Sequence, residues 1–240
     1  MKKLLTLSMV LCTIVACAQW GKRVKGNGKV VTIERSVGDY DVVALAGWFD
    51  VELVEGQEGE LTLTGEENLL EYIKTEVKDG KLTIKTKRGV NLKPSNWKDG
   101  ILIIVPVESV RGVSLSGSGD IVGKTVLKSN EFKTSISGSG DISLEVEANE
   151  VKASMSGSGD INLAGKATDF TVSVSGSGDI KAYGLEADFV DAQVSGSADI
   201  RVTAKQSLKA RVSGSGDISY KGNPKKIDTK SSGSGDITSY

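Results

Sequence analysis

Seven aspartates recur at near-constant spacing through the second half of the chain: Asp120, Asp141, Asp160, Asp179, Asp199, Asp217 and Asp236. Such a series suggests two kinds of chemistry. Carboxylates held side by side can share Ca²⁺, a hard cation that takes about six to eight oxygen ligands, so the row is a candidate metal site. Two carboxyls in unlike environments can instead cleave a glycosidic bond, one as acid and the other as base or nucleophile. Repetition argues against the second, because it supplies seven equivalent groups rather than two distinct ones. The plainer reading, which the setting favours, is structural: an aspartate in a turn accepts hydrogen bonds from nearby amides or from a serine hydroxyl.

The setting of each aspartate is the hexapeptide SGSGDI. It starts at Ser116, Ser137, Ser156, Ser175, Ser195, Ser213 and Ser232, at intervals of 21, 19, 19, 20, 18 and 19 residues. One copy departs from the pattern, with Ala198 in place of the second glycine. Self-similarity at a fixed period of about 20 residues is the signature of a solenoid. Between the hexapeptides apolar residues alternate with polar ones. Phe132, Thr134, Ile136, Gly138, Gly140, Ile142, Leu144 and Val146 fall on one parity, and the pattern recurs through Val151–Leu163 and Phe170–Ala182. Successive side chains of a strand point to opposite faces, so one face is apolar and the hexapeptide glycines lie on it. The parity resets near Ala148-Asn149-Glu150 and Thr168-Asp169, where a second turn belongs. The coil is therefore strand, glycine corner, strand, second corner, in about 19 residues, and the fold class is an all-β, two-sheet β-solenoid.

Stacking at about 4.8 Å turns each outward position into a column. Unit charges at that distance repel by ~1 kcal/mol in water, so the aspartates need something to offset it. At the glycines, the expectation is a narrow corner where a side chain would strike the opposite wall. A second column, Ser114, Ser135, Ser154 and Ser173, continued by Gln193 and Arg211, forms a flat wall of short polar residues. That wall is either a plain solvated face or a platform for an extended polysaccharide or a protein surface. Trp97 and Trp20 are candidate stacking residues for a sugar.

Four segments follow from these patterns: an export signal over 1–18, a polar tether over 19–30, an N-terminal β region over 31–111 and the repeat solenoid over 112–240. Within the β region, Trp48–Glu55 reads as a strand. Glu66–Ile73 allows a helical turn or two. Asp79-Gly80 makes the tight turn of a hairpin, since both residues tolerate positive φ. A polar loop spans 87–99, and Ile101–Val105 is an apolar strand ended by Pro106. The last coil turns polar, with Ser231 where Met155 and Val174 stood and Lys225, Lys226 and Lys230 nearby, which reads as a cap on an open edge.

Composition removes other classes. The chain of 240 residues contains no histidine, the commonest general base and metal ligand. A formal net charge of −1 gives no footprint for nucleic acid. No cofactor is implied. The cysteines are Cys12 and Cys17, so the body of the protein has no disulfide chemistry. Lys2 and Lys3 precede an apolar run from Leu4 to Val15 that is too short to span a bilayer, the form of an export signal. Ile14-Val15-Ala16-Cys17 fits a lipobox with Cys17 as the lipidated residue, attaching the protein to a membrane. Ala16-Cys17-Ala18 fits ordinary cleavage before Gln19. Either reading places the protein in a bacterial envelope, as an outer-membrane lipoprotein, at the cell surface or in the periplasm.

Gly47-Trp48-Phe49-Asp50-Val51, Asn68-Leu69-Leu70, Val77-Lys78-Asp79-Gly80-Lys81-Leu82-Thr83-Ile84, Val105-Pro106 and the SGSGDI series together resemble a family of exported proteins common in the Bacteroidetes, described as putative auto-transporter adhesin, head GIN domain. The resemblance implies a β-helix-like superhelix related in shape to pectin lyases, with GSG at the turns, and no catalytic residues. The expected function is non-enzymatic adhesion or binding to a surface glycan or a protein ligand. The alternatives are a polysaccharide-binding or polysaccharide-cleaving β-helix, and an envelope scaffold that forms homo-oligomers through the serine wall.

Overall fold

The structure, a computed structural model, describes residues 21–96 and 100–240. The chain opens with β1 (Lys22–Lys25), β2 (Val30–Ser36), β3 (Val42–Gly47), β4 (Asp50–Glu55) and β5 (Glu60–Glu66). The single-turn helix α1 (Glu67–Leu70) follows, then β6 (Ile73–Lys78), β7 (Lys81–Thr86), β8 (Val90–Lys93), β9 (Leu102–Val107) and β10 (Gly112–Gly117). The repeats form five long strands: β11 (Ile121–Ile136), β12 (Ile142–Met155), β13 (Ile161–Val174), β14 (Ile180–Gly196) and β15 (Ile200–Gly214). The chain closes with β16 (Ile218–Lys221), β17 (Lys226–Gly233) and β18 (Ile237–Ser239).

The molecule is a β-solenoid in which one repeat is one coil. Each long strand pairs in parallel with the next, so Phe132, Val151, Phe170, Val190 and Leu208 stand in register. The strands run from one hexapeptide to the next without a break, bending at the second corner, where Asn149 Nδ2 donates to Asn130 Oδ1 at 2.7 Å. Alternation along each strand puts one parity inside. Ile142, Val146, Val151 and Ile161 are fully buried, as are Ile121, Phe132, Phe170 and Ile180 in the neighbouring coils. Fully burying such a side chain contributes roughly 1.5–3 kcal/mol, and no coil can do so without its neighbours.

Apart from β1 and β8, which form a two-stranded sheet of their own, the N-terminal strands belong to the same sheet as the repeats. Strand β3 lies above β10 in parallel register and β4 lies above β11, while β9 pairs β4 and β7 pairs β3. The upper end is then closed by antiparallel strands: β5 on β9, β2 on β5 and β6 on β7. The β6–β7 hairpin turns at Asp79 and Gly80, with φ of 52° and 73°. Helix α1 is a single turn because only Leu69 and Leu70 face the core.

Three local differences from expectation have physical causes. Trp48 and Phe49 belong to a corner rather than to a strand. Phe49 is 1% exposed and packs edge-on to Trp48 at 6.2 Å between centroids. Lys22–Lys25, inside the segment expected as a tether, pair in parallel with β8, a strand inside the expected 87–99 loop. The carboxylate of Glu66, 2% exposed, holds this flap down by accepting the Gly28 amide at 2.6 Å and the Ser95 amide at 2.9 Å.

The third difference concerns the glycines. A Cβ on Gly138 would lie 2.1 Å from the Gly117 carbonyl oxygen, and one on Gly140 would lie 1.9 Å from that of Gly119. The obstacle is the glycine of the preceding coil along the stack, not the opposite wall. At four of the seven corners the first glycine also carries a conformational demand: Gly117, Gly196, Gly214 and Gly233 have φ of 147°, 145°, 141° and 137°. The second glycine has no such demand, and Ala198 sits there fully buried.

Candidate functional site

The aspartate column is built by the corner itself. After the second glycine the chain turns into the next strand, with Asp outside and Ile inside. The backbone amide of each Asp donates to Oδ1 of the Asp one coil earlier: Asp141 to Asp120 at 2.9 Å, Asp160 to Asp141 at 2.8 Å, Asp179 to Asp160 at 3.0 Å. The series continues from Asp199 to Asp179, Asp217 to Asp199 and Asp236 to Asp217 at 2.8–3.1 Å. A carboxylate taking a charge-assisted bond from an amide is a stronger arrangement than a neutral pair, and this offsets the repulsion along the column.

The column has a member that the repeat pattern does not show. Asp120 donates its amide to Oδ1 of Asp50 at 3.0 Å, so Gly47-Trp48-Phe49-Asp50-Val51 is the uppermost corner in another residue dress. The readable signal was the spacing Gly-x-x-Asp followed by an apolar residue, shared by all the hexapeptides.

Environments along the column differ. Burial pushes the Asp50 carboxyl up and the nearby Asp120 charge adds to this, partly countered by the Asp120 amide. At Asp160 burial acts upward too, but the Lys181 ammonium at 2.5 Å, the Asp179 amide and the Arg201 charge outweigh it and hold the carboxyl below its usual range. Arg201 bridges Asp179 and Asp199 at 3.5 Å to each. Cations are thus supplied by side chains two residues beyond an Asp. Among the described residues no group of three or more His, Cys, Asp or Glu is arranged to hold a metal ion.

The serine wall stands on the other side of the corner. Ser114, Ser135, Ser154 and Ser173 are in strict register and continue into Gln193, Arg211 and Lys230. The first serine of each hexapeptide makes a parallel column two residues away; from Ser116 to Ser232 these are all exposed. Together they form a flat field of hydroxyls on a rigid sheet. Lower down, Ser173, Ser175, Gln193, Ser195, Arg211 and Ser213 line a shallow groove of about 290 Å³. Each hydroxyl can donate one hydrogen bond and accept others. Trp97, Trp20 and Cys17 lie outside the described residues, so the stacking and lipidation expectations fall beyond the geometry above.

A larger groove, about 810 Å³, opens where the N-terminal strands meet the repeats. It is lined by Glu55–Gln57, Val107, Glu108 and Thr125–Lys128. Among the described residues no helix is long and apolar enough to cross a membrane, which leaves strand-based crossing unaddressed.

The family described as putative auto-transporter adhesin, head GIN domain matches residues 39–224. No curated protein matches the chain. Among solved structures, a putative lipid binding protein from Parabacteroides distasonis is 30% identical with a TM-score of 0.72, covering 91% of this chain and all of that one. A putative adhesin from the same organism is 25% identical at the same TM-score and coverage. A putative adhesin from Bacteroides fragilis superposes with a TM-score of 0.85 over 90% of this chain and all of its own, but at 24% identity that likeness speaks for the fold alone.

Proposed function

We propose, for a chain that belongs to the putative auto-transporter adhesin, head GIN domain family, a non-enzymatic binding role in the bacterial envelope, exercised through the flat face of the solenoid. One observation carries this reading: Ser114, Ser135, Ser154 and Ser173 stack in register beside a second serine column, on strands paired in parallel at these positions. Short side chains lose little rotamer entropy on binding, and a rigid sheet needs no reorganisation. Repeating hydroxyls at about 4.8 Å suit an extended polar ligand, a polysaccharide or a protein surface at a neighbouring cell.

The reading is supported by what the aspartates do. Their Oδ1 atoms are engaged in holding the corners together, which favours a scaffold role over acid–base chemistry. Glycan cleavage would need two carboxyls facing one substrate, whereas the column lies along an exposed corner. The lipid-binding description of the Parabacteroides distasonis relative suggests a second class of ligand. Here the inward positions are filled by side chains, and the large exposed apolar residues among those described are Val30, Phe189, Ile227 and Tyr240. The polar wall is the better candidate.

The test is the triple variant Ser135→Lys, Ser154→Lys and Ser173→Lys. It should keep the far-ultraviolet circular dichroism of the parent and lose binding on a glycan array and to intact cells. Unchanged binding would remove the wall from the reading. Envelope placement rests on the 1–18 segment: mass spectrometry of the mature N-terminus distinguishes a lipidated Cys17 from a chain starting at Gln19. Resistance of the protein to proteolysis on intact cells would count against surface adhesion.

A further inference from the structure

The coil above β11 is incomplete. Strand β4 covers β11 only at Ile121–Gly123, and β10 covers it only at Gly112–Leu115, opposite Lys133–Ile136. Between them, Val126–Ser129 and Glu131 pair with β12 below, and residues 124–131 have, among the described residues, no strand paired above. The rung is continuous from β12 through β15, so this gap is local. Strand β11 is also bulged here: it takes four steps from Val122 to Val126 while β12 takes two from Ser143 to Glu145. That bulge is the source of the 21-residue first interval. Bulges re-aim a strand and end its pairing, and they are frequent beside functional sites.

The gap coincides with the 810 Å³ groove. Its floor includes Leu127 and Val107, and its rim carries Glu55 and Glu108. Among the described residues neither rim carboxylate takes part in an ion pair, whereas Lys124 and Lys128 are engaged by Glu52 and Glu147. The rim is therefore acidic over an apolar floor. At about 3.3 Å per residue the missing rung would take roughly five residues of extended chain.

We propose that this groove is a strand-addition site for a basic, extended peptide segment of a partner protein. The segment would hydrogen-bond to the open edge of β11, set alternate apolar side chains on Leu127 and Val107, and place lysine or arginine against Glu55 and Glu108. Strand addition draws affinity from the backbone and specificity from alternate side chains. The edge strand β17 carries Lys226 and Lys230 and repels such a segment.

The experiment uses the folded chain and two labelled hexapeptides, acetyl-KVKVKV-amide and acetyl-EVEVEV-amide, read by fluorescence anisotropy and by hydrogen exchange. The KVKVKV peptide should bind, the EVEVEV peptide should bind at least tenfold more weakly, and the amides of residues 124–131 should gain protection only with the basic peptide. The exposed-site double variant Glu55→Lys with Glu108→Lys should keep the parent melting temperature and lose binding at least tenfold. Absence of binding at millimolar peptide, equal binding of both peptides, or protection elsewhere such as at β17 would overturn the proposal.

Discussion

The backbone amide of Asp141 donates to Oδ1 of Asp120 at 2.9 Å, across one full coil of the solenoid. The same bond joins every pair of successive corners from Asp50 to Asp236. A side-chain oxygen therefore serves as a rung of the ladder at the point where the backbone turns, and the oxygen, not the charge, is what the corner needs.

Substitution at Asp141 should separate these two properties. Asp141→Asn keeps an acceptor for the Asp160 amide and should shift stability by less than about 1 kcal/mol. Asp141→Ala removes it and should cost about 1–3 kcal/mol, the range for leaving a backbone donor without its partner. Urea midpoints of the two variants provide the comparison. Equal losses would show that the acceptor is not what matters.

Acid should act in opposite directions at two members of the column. The Asp160 carboxyl is held below its usual value, so its stabilisation is present above the unfolded pKa of about 3.9 and is lost as pH falls through the folded value. The Asp50 carboxyl is raised, so its charge is a cost at neutral pH that disappears on protonation. Asp50→Asn should therefore leave stability at pH 7 unchanged or raised by less than about 1 kcal/mol, the site being partly solvent-screened. Asp160→Asn should lower it and flatten the acid limb of a melting-temperature profile between about pH 5 and 2.

The two glycine columns should differ from alanine in a graded way. In Gly214→Ala the new Cβ would lie 2.3 Å from the Gly196 carbonyl oxygen, at a φ of 141° that alanine rarely adopts, and relief requires both the backbone and the coils to shift. The expected loss is about 1–3 kcal/mol or more, as for other overpacked sites. Ala198→Gly should cost only about 0.5–1 kcal/mol, through the lost buried methyl and the freer backbone. Guanidinium unfolding of both variants tests the contrast.

Glu66 should behave as a local clamp. Burial pushes its carboxyl up, but the Ser95 hydroxyl and amide and the Gly28 amide together hold it below its usual range. Glu66→Ala should leave those donors unpaired, cost about 2–3 kcal/mol, and speed amide exchange in β1 and β8 while β12–β15 are unaffected. Its contribution is lost as pH falls through the depressed folded value. Uniform loss of protection throughout the chain would contradict a local role.

At the lower end, β17 offers an unpaired edge with Thr229 and Ser231 standing where Ala210 and Val212 stand one coil above. Changing Lys226 and Lys230 to valine should make the chain self-associate through that edge, since charge on an edge strand discourages pairing. Light scattering of the parent and the double variant at equal concentration is the check.

The repeats were legible because each coil touches only its neighbours. Parity alone placed Phe132, Val151 and Phe170 inside and Ser135, Ser154 and Ser173 outside. The hairpin at Asp79-Gly80 was equally plain, because its turn demands positive φ from adjacent residues. The N-terminal region was less so. Gly47-Trp48-Phe49-Asp50 shares only two residues with the hexapeptide, and a large Phe49 fills the place of a glycine, which hid a corner inside an apparent strand.

What the sequence determines by itself is the coil: its period, its two turns and the face each residue takes. Those follow from alternation and from glycine's permissive backbone, which are local properties. Tertiary structure decided what touches what between coils. It placed Asp50 at the head of the aspartate column and turned the glycines' requirement from a narrow wall into a carbonyl of the coil above. It also left 124–131 without a strand on one side, because β4 ends at Glu55 and β10 begins at Gly112. Such contacts join residues as many as 70 positions apart, as in the bond from Asp120 to Asp50, and no local pattern records them.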